Sequence, residues 1–341
     1  MKRRKFIQYS SLATIASLTI TRDLFARSDR SNVENIYGHN GMLYSLDAQW
    51  SKADPLRNPV NDCHEMVQDD KGRILLLTNE TKNNVLIFDS SGKLLETWGD
   101  SFPGAHGLTL HGDQLFITDT VKHQIYKTSM KGDILLTLDP PADLYPDATK
   151  FVPTEIAVLE NEDFYIADGY GEQYILHYDK YGKLISFFGG RGEGEEKLDN
   201  AHGICIDNRQ GVATLLITDR TRTCFKRFSL DGKLMEVIPL PGACVCRPVL
   251  NGDYLYAAVL RSPDLNHEGT GFVTILDSQN KVVSNIGGSA PQYSEEGKLQ
   301  PMIQKQKIFV HPHDVCVDRD DNLYVAQWAS GKVYPYKLNR V

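Results

Sequence analysis

The sequence lacks a long hydrophobic run, which excludes a typical membrane-spanning helix. Its N-terminal apolar stretch, from about Tyr9 to Ile20, is rich in serine and threonine. It is also shorter than the roughly 20 strongly apolar residues that a span requires. Arg3 and Arg4 precede this stretch and the small-residue sequence "LFA" closes it. This order predicts a twin-arginine signal peptide over residues 1–26 and a periplasmic or secreted mature protein. The alternative interpretation is a frayed basic N-terminus.

The sequence also lacks an excess of positive charge. The full chain has a formal net charge of −7, and loss of residues 1–26 removes five basic residues and one acidic residue, which gives −11. An acidic surface disfavours binding to nucleic acid and to anionic lipid. We therefore expect no nucleic-acid partner, no membrane contact after signal removal, a small-molecule or peptide substrate, and a monomer.

Cysteine is scarce, with six residues in a chain of 341. Disulfides are common in exported proteins, but the twin-arginine route carries proteins that have already folded in the reducing cytoplasm. Most of these cysteines lie within apolar strand patterns. We interpret them as small buried hydrophobic residues, with disulfides as the alternative.

No long helical periodicity follows the signal segment, and the chain instead repeats a unit of short strands. Residues 61–99 alternate four strand-like segments with the turn sequences "DDKG", "NETKNN" and "SSGK", and residues 153–189 repeat this order. Such alternation is typical of half-buried antiparallel strands. Six units begin near residues 61, 104, 153, 200, 245 and 311. Propeller blades repeat at about 40–50 residues, so the sequence predicts an all-β, six-bladed propeller over residues 27–341.

The last unit is one strand too short, because the chain ends soon after "KVYPYKL". The alternating segment at residues 41–50 can supply the missing strand, so we expect an N-terminal strand to complete the last blade and close the ring. The fifth interval is oversized and holds two insertions, at residues 261–271 and 288–307. Long loops on a rigid propeller usually lie on one face and often border a site.

Equivalent first-strand positions form a ring around a propeller channel. In this sequence they hold His64, His106, Thr154, His202, Arg247 and His313. Three imidazoles from alternate blades, His106, His202 and His313, predict a metal site with an open fourth position. Nitrogen ligands favour Zn²⁺ or another divalent transition metal over calcium. His64 could be a fourth ligand, or it could donate a hydrogen bond to one of the ligands. The alternative is that each histidine is an ordinary satisfied residue.

The ends of the second strands form another ring of polar residues. From it Tyr170 and Arg220 are predicted to reach the same mouth, as a base and as a fork for a substrate carboxylate. A neighbouring cation can lower the pKa of such a tyrosine. The alternatives are that Tyr170 packs between blades and that Arg220 pairs with a blade aspartate. His311 is expected to line the mouth.

Several segments together resemble a known family. The runs "AHGLTL…LFITDTVKHQIYK", "PTEIAV…FYIADGYGEQYI", "AHGICID…LLITDR" and "HPHDVCVD…NLYVAQW" resemble the six-bladed NHL-repeat propeller of the peptidyl-α-hydroxyglycine α-amidating lyases. The resemblance covers nearly all of the mature chain. It implies a zinc-dependent carbon–nitrogen lyase that splits a carbinolamide into an amide and glyoxylate.

Carried onto this sequence, the resemblance implies specific roles. His106, His202 and His313 would hold zinc, with Asp314 beside the last of them. Tyr170 would take the hydroxyl proton, and Arg220 would bind the carboxylate. Two positions depart from the family pattern: an arginine is replaced where this chain has Asn79 or Glu80, and a cysteine is replaced by Gly171.

The leading hypothesis is an exported, metal-dependent, lyase-like propeller enzyme that acts on a small hydroxylated or carboxylated substrate. The lost arginine suggests that the substrate has changed. The alternative is a non-catalytic NHL propeller that binds a protein or carbohydrate through the loops at 261–271 and 288–307. A calcium-dependent lactonase would need Glu, Asn and Asp around the channel, and the histidine ring argues against it.

Overall fold

The structure is a computed structural model that describes residues 36–341 as six antiparallel sheets. The predicted signal segment, residues 1–26, lies outside the described residues. Between residues 36 and 341 the only helix is a short 3₁₀ turn, Ala148–Lys150. The predicted all-β, six-bladed propeller is confirmed.

The N-terminal strands are β1 (Ile36–His39) and β2 (Met42–Asp47). Blade one contains β3 (Cys63–Gln68), β4 (Ile74–Thr78), β5 (Val85–Phe88) and β6 (Leu94–Trp98). Blade two contains β7 (Ala105–His111), β8 (Gln114–Asp119), β9 (Gln124–Ser129) and β10 (Ile134–Leu138). Blade three contains β11 (Glu155–Val158), β12 (Phe164–Ala167), β13 (Tyr174–Tyr178) and β14 (Leu184–Gly189).

The second half of the chain repeats this order. Blade four contains β15 (Ile204–Asp207), β16 (Thr214–Asp219), β17 (Cys224–Phe228) and β18 (Leu234–Pro239). Blade five contains β19 (Cys244–Val245), β20 (Val249–Asn251), β21 (Tyr254–Arg261), β22 (Phe272–Leu276) and β23 (Val282–Ile286). Blade six begins with β24 (Pro312–Val317), β25 (Leu323–Gln327) and β26 (Tyr336–Arg340).

The ring closes where the N-terminal strands join blade six. Strand β2 pairs antiparallel with β26, with Tyr44 opposite Arg340 and Asp47 opposite Lys337. The predicted closure by residues 41–50 is therefore confirmed. The structure adds a fifth strand, because β1 pairs with β2 on its outer side. Closure leaves the first strand of each blade facing its neighbours around the channel.

The hydrophobic core is divided into layers between adjacent blades. Each layer joins the facing sides of two sheets, as in the cluster of Leu216, Phe225 and Leu255 between blades four and five. The closing layer between blades six and one contains Trp50, whose ring contacts that of Tyr324 with centroids 4.8 Å apart. Because adjacent blades share a packed layer, the inner strands are held in fixed positions around the axis.

The six cysteines are all free thiols, and five of them are buried. This agrees with their interpretation as small hydrophobic residues. Among the described residues, no helix has the length and hydropathy needed to cross a membrane.

Candidate metal and substrate site

Four histidine side chains meet on the channel axis: His64, His106, His202 and His313. All four are buried, and none is more than 6% exposed. The ring centroids of His106 and His313 lie 4.9 Å apart. The His64 ring lies 4.9 Å from each of these two rings, and the His202 ring lies 4.8 Å from each of them. His106 and His313 therefore form a central pair that both other histidines contact.

Irregularities in the inner strands aim three of these side chains. The pairing of β3 with β4 shifts between Cys63 and Glu65, that of β24 with β25 shifts between Pro312 and Asp314, and that of β7 with β8 shifts after Ala105. His64, His313 and His106 occupy these bulges. A β-bulge reorients a side chain relative to the regular pleat. His202 differs, because it lies two residues before β15 begins.

The glycine that follows two of the histidines has a steric reason. A Cβ atom on Gly107 would lie 2.5 Å from the carbonyl oxygen of Thr154, and one on Gly203 would lie 2.5 Å from Cα of Arg247. Both contacts are to the backbone of the next blade, and moving that backbone would disturb its sheet. The "AHG" sequence of blades two and four therefore permits the close approach that brings neighbouring inner strands to the axis.

Hydrogen bonds fix which nitrogen of the central pair can bind a ligand. Nδ1 of His106 lies 2.9 Å from the carbonyl oxygen of Thr154, and Nδ1 of His313 lies 3.0 Å from that of His64. A carbonyl only accepts, so each Nδ1 carries the proton and donates it. Nε2 of both rings is thereby left with a lone pair, the arrangement that orients metal-binding imidazoles.

Two different third ligands are available beside the central pair. Ring nitrogens of His64, His106 and His313 all lie within 4.8 Å of one another, so this cluster could bind a metal ion. His202 contacts the same pair, and within the described part of the chain neither of its two buried ring nitrogens has a hydrogen-bond partner. Burying two unsatisfied nitrogens is costly. Part of that cost is removed if one of them binds a ligand.

Burial keeps these imidazoles neutral. Desolvation lowers the pKa of His64 to about 3, and the neighbouring Arg220 acts in the same direction. Desolvation also lowers the pKa of His106, His202 and His313 well below the ordinary value, again with a contribution from Arg220. Neutral imidazole is the form that binds a metal ion. The donor set, its burial and its open lone pairs thus fit a divalent transition metal.

Tyr170 and Arg220 lie against the histidine cluster, where the sequence placed them. The Tyr170 hydroxyl oxygen lies 3.1 Å from Nε2 of His106, and Nη1 of Arg220 lies 3.4 Å from the same oxygen. Arg220 is 3% exposed and contacts the carbonyl oxygen of Val245 and Sγ of Cys246, and it pairs with no aspartate among residues 36–341. The Tyr170 ring reaches solvent, with an exposed fraction of 39%. The pair therefore connects the cluster with the channel mouth.

The ionisation of Tyr170 differs from the expectation. Burial of its hydroxyl raises the pKa of Tyr170, and the opposing effect of Arg220 does not reverse that direction. The phenol is therefore protonated at neutral pH and donates its hydrogen to Nε2 of His106. The loop of Tyr170 is held by Asp168, which accepts from Tyr145 Oη at 2.7 Å and from the Val152 amide at 2.7 Å.

A second layer of charge lies one step further along the inner strands. It comprises Glu65, Glu155, Arg247 and Asp314, which we call the axial charge layer. Arg247 and Asp314 form a bidentate pair, with Nη2 to Oδ2 at 2.8 Å and Nε to Oδ1 at 3.1 Å. Burial raises the pKa of Glu65 well above its ordinary value, although Arg247 opposes the shift. Glu65, Glu155 and Asp314 each directly follow a position of the first ring, so this layer lies next to the histidine cluster along the channel.

The other candidate positions serve the surrounding loops. Nε2 of His311 accepts from the amide of Gly269 at 2.9 Å, and its ring lies 5.8 Å from that of Trp328. His311 thus anchors the 261–271 loop. Asn79, which follows β4, bonds to Asn61 and Asp62, which precede β3 in the same blade. Sequence reasoning did not find the contact between Cys246 and Arg220, or the glutamates Glu65 and Glu155, which directly follow the His64 and Thr154 ring positions.

The fold and the axial cluster define a class of protein: a six-bladed propeller with an imidazole site in its channel. Among solved structures, a streptogramin B lyase superposes with a TM-score of 0.58 at 16% identity, covering 87% of this chain and 97% of that one. A gluconolactonase from Xanthomonas campestris superposes with a TM-score of 0.58 at 12% identity, covering 83% and 88%. At these identities the likeness concerns the fold alone.

Curated sequences give the more specific likeness. The chain is 27% identical over 276 residues to peptidyl-alpha-hydroxyglycine alpha-amidating lyase 1 of Drosophila melanogaster, over 72% of this chain and 47% of that protein. It is 31% identical over 128 residues to a probable lyase of the same kind from Caenorhabditis elegans, over 36% of this chain and 35% of that protein. The predicted resemblance to the amidating lyases is therefore confirmed. The chain spans about half the length of these relatives or less, and no protein-family model matches it.

Proposed function

We propose that the protein is an exported, metal-dependent lyase that cleaves a carbon–nitrogen bond in a small substrate of the α-hydroxyglycine type. The main support is the convergence of four buried, neutral imidazoles with Tyr170 and Arg220 on one axis. The similarity to amidating lyases supplies the reaction class. Such a substrate has both the hydroxyl and the carboxylate that these groups can bind.

The proposed ion is Zn²⁺ or another divalent transition metal held by His106, His313 and His202. His202 is chosen as the third ligand because both of its buried nitrogens lack a partner. His64 would then lie beside the ion as a fourth imidazole. When bound, the ion supplies positive charge that acidifies a nearby hydroxyl.

The proposed reaction balances without an oxidant or a reductant. The carbon–nitrogen bond of the carbinolamide breaks, and its electron pair leaves with the nitrogen, which gains a proton. The hydroxyl loses its proton, and its oxygen becomes the aldehyde oxygen of glyoxylate. One proton is therefore removed at oxygen and one is delivered at nitrogen. The protein needs a group that can hold a proton at the site, and Tyr170 is that group.

Tyr170 and Arg220 have complementary roles in this scheme. Burial raises the pKa of Tyr170, so its phenolate forms only when positive charge is added nearby. Arg220 already lowers the pKa in part, and a divalent ion held by the histidines would supply the additional charge. The guanidinium of Arg220 can also donate hydrogen bonds to a substrate carboxylate through N–H groups that have no other partner among the described residues.

The substrate should be smaller than one bound by a site that keeps the arginine of the family pattern at Asn79 or Glu80 in addition to Arg220. The uncharged side chain of Asn79 forms hydrogen bonds with Asp62 and Asn61. The first blade therefore offers no cationic group at that position. Arg220 is the single arginine in contact with Tyr170 among the described residues. We therefore propose a compact substrate with one carboxylate rather than a long peptide.

The non-catalytic alternative receives no added support from the loops. Tyr293, in the 288–307 loop, is 39% exposed, which equals the value for Tyr170 at the mouth. Its hydroxyl donates to the carbonyl oxygen of Val282, so the side chain is fixed to its own blade.

Elemental analysis and glyoxylate release test the proposal. Purified protein should contain about one transition-metal ion per chain and should release glyoxylate from N-acyl-α-hydroxyglycines. His106→Ala should lose both properties. His177→Ala is the matched control, since His177 stacks on Tyr165 outside the channel at 4.2 Å. A metal-free protein that also binds no added Zn²⁺ or Co²⁺ would contradict the proposal.

A further inference from the structure

Arg247 has an unusual position for an arginine. It lies on the channel axis with 9% exposure, in a blade that contributes no histidine to the cluster. Two members of the axial charge layer, Glu65 and Asp314, directly follow His64 and His313 in sequence. The carboxylates around the guanidinium therefore come from the positions directly after the bulges that orient the imidazoles.

The guanidinium binds three inner strands at once. It forms the bidentate pair with Asp314 on β24. Its Nη1 donates to the carbonyl oxygen of Leu108 on β7 at 3.0 Å, and its Nη2 donates to that of Met66 on β3 at 3.0 Å. These strands carry His313, His106 and His64. One side chain thus joins all three bulged strands.

The acidic members of the layer complete the same network. Asp314 Oδ2 accepts from the Met66 amide at 2.8 Å, and Glu65 Oε2 accepts from the Leu108 amide at 2.6 Å. These amides and carbonyls lie on the channel edge of the inner strands, which no neighbouring strand of the sheet covers. The layer therefore supplies the partners that a missing strand would have supplied.

We propose that Arg247 is a positioning residue that fixes the inner strands of blades one, two and six so that their histidines converge on a common point. This inference rests on the proposed metal site. Arginine suits the task because its planar fork can meet several acceptors in fixed directions. Lysine would supply charge without that geometry.

Arg247→Gln tests the proposal, with Arg227→Gln as the matched control. Arg227 is also buried and pairs with two carboxylates, Asp207 and Glu236, whereas Arg247 lies near three; Arg227 lies in blade four away from the axis. Both variants should melt at a lower temperature than the wild type. Only Arg247→Gln should weaken Co²⁺ affinity, by about 10- to 100-fold, and change the visible Co²⁺ spectrum.

A second measurement needs no metal. In metal-free protein with ¹⁵N-labelled histidine, the Nδ1–H resonances of His106 and His313 report their bonds to Thr154 and His64. Arg247→Gln should shift these resonances or speed their exchange with water, and Arg227→Gln should leave them unchanged. This measurement separates the two proposals, because it remains informative if the wild type binds no Co²⁺.

The positioning role is overturned if folded Arg247→Gln keeps the wild-type resonances and Co²⁺ spectrum. If this variant does not fold, the same criteria apply to Arg247→Lys. If neither folds, methylguanidinium added to Arg247→Ala should restore folding and the histidine resonances, and failure of that rescue would refute the proposal.

Discussion

The hydroxyl oxygen of Tyr170 lies 3.1 Å from Nε2 of His106, and that nitrogen must accept because Nδ1 of the same ring donates to Thr154. The phenol therefore occupies the lone pair that a metal ion would use. Binding of an ion at His106 requires this hydrogen bond to break. If the proposed ion binds there, Tyr170 would lose this hydrogen bond, and the added positive charge would favour its ionisation.

Tyr170→Phe should separate metal binding from turnover. Loss of the competing hydrogen bond is expected to raise metal affinity by about 2- to 10-fold. Loss of the proton acceptor should lower kcat for glyoxylate release by about 10²- to 10⁴-fold. Calorimetric titration with Zn²⁺ and a steady-state glyoxylate assay measure the two effects. Equal activity of variant and wild type would remove Tyr170 from the reaction.

His202→Ala and His64→Ala identify the third ligand. Removal of His202 should weaken metal affinity by more than about 100-fold, whereas removal of His64 should weaken it by less than about 10-fold. Competition with a chromophoric chelator measures both values. The opposite order would assign His64, whose nitrogens satisfy the mutual spacing with His106 and His313.

Metal affinity should depend only weakly on pH near neutrality. Protons compete with the metal only below the pKa of the folded site, and desolvation lowers the pKa of His64 to about 3 and those of the other three histidines well below ordinary. Three ordinary imidazoles would lose about 50- to 100-fold in affinity between about pH 8 and about pH 6. Calorimetry over this range should show a loss of less than about 5-fold here. A loss as large as that of ordinary imidazoles would contradict the burial argument.

Asp168→Asn should remove a pH-dependent contribution to the free energy of unfolding between about pH 3.8 and about pH 6. Burial raises the pKa of Asp168 to about 6 from 3.8, and the hydrogen bonds from Tyr145 and Val152 only partly offset this shift. A raised carboxyl pKa contributes stability that is complete below pH 3.8 and is lost as pH rises through about 6, by about 3 kcal/mol in total. Urea unfolding across this range should show that the stability of the wild type relative to the variant falls by this amount. An unchanged slope would indicate that Asp168 ionises normally.

The repeat in the sequence was sufficient to predict the propeller and the axial histidines. Turn sequences and alternating polarity report local strand formation, and a period of 42 to 48 residues places equivalent positions on one ring. Sequence position therefore located His106, His202 and His313 near one another. The closing strand was predictable because blade six lacked one strand and residues 41–50 had the matching alternation.

The ligand set and the axial charge layer could not be derived in this way. The bulges at His64, His106 and His313 depend on pairing with the second strand, and their register is not encoded in the spacing of the repeat. Glu65 and Asp314 directly follow histidines, so a regular strand would direct them to the opposite face, and only the bulges bring both layers into the channel. The net pKa of Tyr170 also depends on desolvation, which sequence proximity to Arg220 does not reveal.

The pairing of β2 with β26 joins residues that are nearly 300 positions apart, as Leu43 and Arg340 illustrate with a separation of 297. On a ribosome, the strand that is made first must wait for the strand that is made last. Until then blade six exposes the unpaired edge of β26, and the layer that packs blade six against blade one, the two blades that carry His313 and His64, is incomplete. The histidine cluster on the channel axis can therefore form only after β26 has been synthesised.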